Sequence, residues 1–189
     1  MPRNGRRAAH YRGEMARERG LFGDLYALSA NFVSRWRQSG LRLLDDLIGD
    51  DGLVGALAKT DLGHEAMWDD TRAVPRVDAG FVCEPVSLAA PSSWPLQYLR
   101  MIHYSSRRFQ NRIISAILRI QGPSGLPPKL AVLYPAYLPG FAPRPDPRVC
   151  QFDRLALARR LLTSSALAPG AAASRAVCRA RHRRGRPHW

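Results

Sequence analysis

Apolar positions along the chain fall into helix-like runs separated by glycine, proline and acidic stretches. Leu25, Leu28, Phe32, Val33 and Trp36 recur at three- and four-residue spacing, with Arg35, Arg37 and Gln38 near the end and Gly40 as a stop. That spacing predicts a core-packing helix. The same period continues through Leu96, Leu99, Ile102, Phe109, Ile113, Ile117 and Ile120, with Arg100, Arg107, Arg108, Arg112 and Arg119 interspersed. It predicts a long basic amphipathic helix or helical hairpin. Phe152–Leu162 predicts a further helix, Asp61–Asp70 another, and weaker helical character runs through Glu14–Arg19. Gly80–Val86, with β-branched and aromatic residues between breakers, predicts a strand or tight hairpin. Leu130–Tyr134 is a strand candidate inside an otherwise irregular proline-rich region over 122–147.

One stretch, Leu41–Gly55, has two readings. Asp50 and Asp51 follow Gly49 and have apolar residues on both sides, so they fit the tip of a hairpin that presents two carboxylates to a divalent cation. Leu43, Leu44, Leu47 and Ile48 also recur at helical spacing, which predicts an amphipathic helix stopping at Gly49 with solvated acids beyond it.

Charge adds a layout. The net charge of the 189 residues is +14, and Lys59 and Lys129 are the only lysines. Residues 1–40 carry +5, residues 41–84 carry −6, residues 85–145 carry +7 and residues 146–189 carry +8. An acidic middle between basic flanks suits a metal site facing a nucleic-acid path, and equally a globule with one acidic face. Tyr98, Tyr104 and Phe109 among the arginines have the chemistry to stack on and neutralise single-stranded RNA. Cys83, Cys150 and Cys178 are odd in number and far apart, a pattern of reduced intracellular thiols rather than of a disulfide framework. No apolar run approaches the length of a membrane span. From about Thr163 the chain is Ala/Ser/Gly/Arg-rich and predicts a disordered basic tail.

Taken in order, three of these pieces resemble the palm of a viral RNA-directed RNA polymerase of the narnavirus and ourmiavirus-like group. Arg19-Gly20-Leu21-Phe22-Gly23-Asp24, entering the Leu25–Trp36 helix, resembles motif B. Gly49-Asp50-Asp51-Gly52-Leu53-Val54 resembles motif C, and Gly80-Phe81-Val82-Cys83-Glu84 resembles motif E. Motif A, which supplies further metal-binding aspartates, belongs upstream of motif B and is not in the chain. Lys59, Arg72 and Arg76 stand where motif D usually supplies a lysine.

The resemblance implies an α+β fold: a partial palm made of a helix and a β-hairpin, then a mostly helical thumb-like region and the basic tail. It divides the chain into a basic segment (1–18), a palm-like region (19–90), a thumb-like region (91–162) and the tail (163–189). It implies two-metal nucleotidyl transfer onto an RNA 3′-hydroxyl, with Asp50 and Asp51 as catalytic residues and ligands of Mg²⁺ or Mn²⁺. RNA template, primer and nucleoside triphosphates are the implied partners. Arg19, Gly20, Gly23 and Asn31 are the implied substrate contacts, with Arg100, Arg107, Arg108 and Arg112 along the RNA. The host cytoplasm or mitochondrion is the implied location. A fragment lacking motif A is expected to be inactive alone. The alternative is a non-enzymatic basic RNA-binding protein, such as an organellar ribosome-associated subunit.

Overall fold

The computed structural model describes residues 3–4, 8–21, 23, 25–76, 78–82 and 90–166. These residues are mostly helical, and no β-strand forms among them. The helices are α1 (Ala8–Glu18), α2 (Ala30–Ser39), α3 (Asp51–Lys59), α4 (Trp94–Ile120), the single turn α5 (Tyr134–Tyr137) and α6 (Pro147–Ala166). Short 3₁₀ turns fill several of the connections.

The long helix α4 organises the rest. Ile102, Phe109, Ile113, Ile114, Ile117 and Leu118 lie on one face at helical period and are almost fully buried. Each such side chain contributes about 1.5–3 kcal/mol on burial. Against this face pack Phe32, Leu44, Leu53 and Leu57 from the first half of the chain, and Leu130, Tyr134, Leu138 and Ala156 from the second. α6 runs along α4, and Tyr98 meets Phe152 edge-on with ring centroids 5.5 Å apart. Asp146 opens α6 in N-cap fashion: its Oδ1 accepts from the Arg148 amide at 2.9 Å, and Pro147 takes the first helical position.

α4 is one continuous helix rather than a hairpin, and α6 extends past Phe152–Leu162 at both ends. α2 begins at Ala30, later than Leu25, because the Ser29 hydroxyl accepts from the Phe32 amide and caps the helix there. Residues 61–70 form no α-helix; 3₁₀ turns cover Glu65–Met67 and Asp70–Arg72, with Asp69 and His64 side chains as local caps. Leu130–Leu133 is a 3₁₀ turn leading into α5 rather than a strand, because the Asp46 carboxylate accepts from the Leu130 and Ala131 amides at 2.7 and 2.8 Å. Both amides are thereby turned away from any ladder partner. Of the Gly80–Val86 stretch, Phe81 accepts an isolated backbone bond from Arg3, and Cys83 to Val86 lie outside the described residues. Residues 167–189 of the expected tail lie outside them as well. Among the described residues no helix is long and apolar enough to cross a membrane.

Candidate functional site at the Gly49–Gly52 turn

The Asp-rich stretch is neither a hairpin nor a helix that stops at Gly49. Residues 41–50 run irregularly across α4, and helix α3 starts just after Gly49. Tertiary bonds hold the stretch open. The Gln110 side chain accepts from the Ile48 amide at 2.8 Å and donates to the Asp46 carbonyl at 2.9 Å, while the Asp45 amide donates to the Pro128 carbonyl. With its backbone groups satisfied by neighbours, the segment needs no helical bonds of its own. Gly49 has φ of +75°, a left-handed turn that L-residues adopt with difficulty, and this turn redirects the chain into α3.

Asp50 and Asp51 therefore sit side by side at a helix N-terminus, where unpaired amides favour negative charge. Their environments differ. Asp50 is exposed and makes no side-chain capping bond. Asp51 is buried, and its Oδ1 accepts from Arg107 Nη2 at 2.5 Å. The Arg107 guanidinium lies over the whole turn: a Cβ added to Gly49 would stand 2.7 Å from Arg107 Nη1, and one added to Gly52 would stand 3.9 Å from Nη2. Gly49→Ala is expected to cost about 1–2 kcal/mol in backbone strain and to push this guanidinium aside. A thermal melt should show it as a fall of roughly 2–4 °C for each kcal/mol.

The 19–23 loop closes the other side. Gly23 faces Asp51, with a Cβ there 3.7 Å from the carboxylate, and Leu21 packs on Gly55 of α3 at 3.5 Å by the same measure. Tyr26 faces the pair too: burial first, then the charges of Asp50 and Asp51, push its hydroxyl above the usual range. Tyr26 was not among the sequence candidates, and its only signal was its place just after the glycine loop. Beside the loop lies a mainly apolar cavity of about 670 Å³, lined by Gly20, Leu25, Tyr26, Phe32 and Val74 among others.

The remaining candidates separate. Arg19 reaches the Asp70 carbonyl, and Asn31 accepts from Arg35 at 2.9 Å, so neither is drawn to the turn by a bond of its own. Of the four α4 arginines proposed for RNA, three have internal partners. Arg107 holds Asp51, Arg108 holds Asp153, and Arg112 lies 4.6 Å over the Phe141 ring. Arg100 is exposed, without a partner among the described residues. Phe109 is buried against Phe141, whereas Tyr98, which leans on Phe152 edge-on, and Tyr104 are both exposed. Lys59 is buried, donating to the Glu18 carbonyl at 2.7 Å and pairing with Asp70 at 2.8 Å, so it ties α1 and the 65–72 turns to α3.

With Asp51 paired to a guanidinium, the turn offers a divalent cation one free carboxylate, that of Asp50. Among the described residues no group of three or more His, Cys, Asp or Glu side chains is placed to hold a metal ion. Comparison with family profiles, curated proteins and solved structures gives no match.

Proposed function

We propose that the chain is the motif B-to-thumb part of an RNA-directed RNA polymerase. The observation that carries this reading is the meeting of Gly23 with Asp51. The two stretches that resemble motifs B and C are separated in sequence by α2, yet they lie against each other, as a nucleotide-binding loop and a catalytic turn must. In this reading Gly20 and Gly23 allow a nucleotide or template to approach the backbone closely. Asp50, exposed at the helix start, is the first carboxylate to meet incoming phosphates and their counter-ions. In this reading the carboxylates that complete the site belong to a motif A ahead of Arg19.

The test is to extend the transcript 5′ of the codon for Met1. An open frame encoding a D-x4-D strand some tens of residues before Arg19 is the expected result. The chain so completed should extend an RNA primer, and Asp50→Asn should reduce that extension by about a hundredfold or more, the scale of losing one charged catalytic contact. A stop codon in frame just ahead of Met1 overturns the reading.

A second reading, a basic RNA-binding protein without catalysis, is favoured by the arginines left exposed: Arg42, Arg100, Arg148 and Arg154 have their side chains free at the surface. It predicts RNA affinity that falls steeply with salt and is unchanged by Asp50→Asn.

A further inference from the structure

The α4–α6 seam gathers more guanidinium groups than its carboxylates can satisfy. Arg108 and Arg112 stand one helical turn apart on α4, and Arg144 reaches the same seam from the loop before α6. One fully buried carboxylate, Asp153, lies between Arg108 and Arg144, and the charge of Asp146 acts on Arg144 as well. Asp153 has both oxygens in use. Oδ1 accepts from Arg144 Nη2; Oδ2 accepts from the Arg144 amide and Nε and, at 3.4 Å, from Arg108 Nη1. The rest of the Arg108 fork and the five donors of Arg112 meet no acceptor among the described residues.

Arg112 is held by an aromatic face instead. Its Cζ lies 4.6 Å over the Phe141 ring, which stacks on the buried Phe109 ring with centroids 5.5 Å apart. Arg108 Cζ lies 5.5 Å from the Phe109 ring in turn. A stacked guanidinium is fixed in place, yet its in-plane N–H donors stay available to a ligand. The crowding is felt at Arg108: burial first lowers it below its ordinary range, and Arg144 and Arg112 lower it further against the opposing charge of Asp153. An oxyanion on the unused donors removes this repulsion.

We infer that Arg108 and Arg112, with Arg144 beside them, form a seat for one phosphate group. Guanidinium forks one turn apart, about 5–6 Å between their Cβ atoms, reach a tetrahedral anion from two directions, and a phosphate group offers oxygens to both. A carboxylate, with two oxygens in one plane, matches a single fork. Free phosphate or a phosphomonoester and the backbone of single-stranded RNA present the same group. The inference stands on these arginines and rings, not on the polymerase reading.

The test is calorimetric titration of the full chain with inorganic phosphate, ionic strength being held constant with sodium chloride. The wild-type chain should bind one phosphate saturably. Arg112→Gln should weaken that binding by about tenfold or more, the scale of losing a charged hydrogen-bond donor. Arg112→Lys, which keeps the charge without the fork, should weaken it less. Arg42→Gln, which removes the same charge from an exposed residue of the 41–50 stretch, should leave it unchanged. Arg112 makes no ion pair among the described residues, so its variants should melt close to the wild-type temperature. A wild-type chain with no saturable phosphate site, or equal weakening by Arg112→Gln and Arg42→Gln, overturns the inference. A short single-stranded RNA then identifies the source. If phosphate displaces the RNA and Arg112→Gln weakens RNA binding more than Arg42→Gln does, the seat holds a backbone phosphate. If phosphate binding needs Arg112 and RNA binding does not, the seat serves free phosphate or a phosphomonoester. Neither measurement involves RNA synthesis, so a stop codon ahead of Met1 removes the polymerase reading and leaves this result standing.

Discussion

Replacing Asp153 by alanine is expected to destabilise the fold by about 3–5 kcal/mol, the usual consequence of removing one partner from a buried ion pair. Asp153 sits on α6 with no exposed surface. Arg144 grips it with three donors: its amide at 2.9 Å and its Nε at 3.0 Å to Oδ2, and Nη2 at 2.8 Å to Oδ1. Arg108 approaches from α4 at 3.4 Å, and Arg144 also donates to the Ser105 hydroxyl. Without the carboxylate, two guanidinium groups at the α4–α6 seam lose the counter-charge they share, and the charge of Asp146 acts on Arg144 alone. Urea denaturation should show a lower midpoint with an unchanged slope.

The same carboxylate sets an acid limit. Burial pushes Asp153 up, but the Arg144 side chain and amide, the Ser105 hydroxyl and the Arg144 charge outweigh it and hold the group at about 2, below its ordinary 3.8. A carboxyl whose folded value is depressed stabilises the fold fully above its unfolded value, and this contribution disappears as pH falls through the folded one. The wild-type chain should therefore lose stability between roughly pH 4 and pH 2. Asp153→Asn, less stable at neutral pH, should lose less over that interval. Equal acid slopes in the two proteins would contradict the assignment.

The second large effect is expected at Gln110. Gln110→Leu keeps the volume and removes three bonds at once. Ile48 loses the acceptor for its amide, the Asp46 carbonyl loses its donor, and the Tyr134 hydroxyl loses its 2.7 Å partner. Gln110 is buried, so each orphaned group costs about 1–3 kcal/mol, and about 3 kcal/mol in total is the expected loss. Gln110 is also what clips the Asp-rich stretch onto α4, which gives the substitution a local signature. The Ile48 amide should exchange with solvent much faster in Gln110→Leu than the amides at the centre of α4. Uniform acceleration would mean that the clip carries no special share.

The exposed turn and the buried clip belong to one arrangement. Residues 41–50 span from the capped end of α2 to the start of α3. Gln110, Asp46 and Arg107 hold that span at its middle and at its end. Substitutions at Gln110 and Arg107 lie one helical turn apart on α4 and touch the same segment, so their effects are expected to be coupled rather than additive.

Helices were legible in the sequence where a run was long and its apolar period regular. The isoleucines of α4, from Ile102 to Ile120, recur over about five turns at 3.6 residues per turn, and burial of such a stripe has one good solution, so the helix follows from the pattern alone. The Gly40 stop of α2 was likewise legible, while the apolar period alone puts its start too early, at Leu25, because it takes no account of the Ser29 cap. Short apolar runs were not legible. Leu130–Tyr134 has the composition of a strand, yet two amides captured by Asp46, more than eighty residues away, turn it into a helical corner. Leu43–Ile48 has the spacing of a helix, yet Gln110 takes the bonds that a helix would need.

For the site, the sequence by itself determined which residues are adjacent along the chain and which are chemically able. It placed two carboxylates after a glycine, a glycine-rich loop ahead of α2, and arginines along a long helix. Tertiary structure alone decided what each of them faces. Asp50 and Asp51 are neighbours of the same type, but one meets water and the other meets Arg107, because successive residues at a helix start point in different directions. Arg100 and Arg107 are two turns apart on one helix, but only the second lies where α3 crosses, so only it acquires a partner. A charge acts through what stands within a few ångströms of it, and that distance is set by packing between segments far apart in the chain.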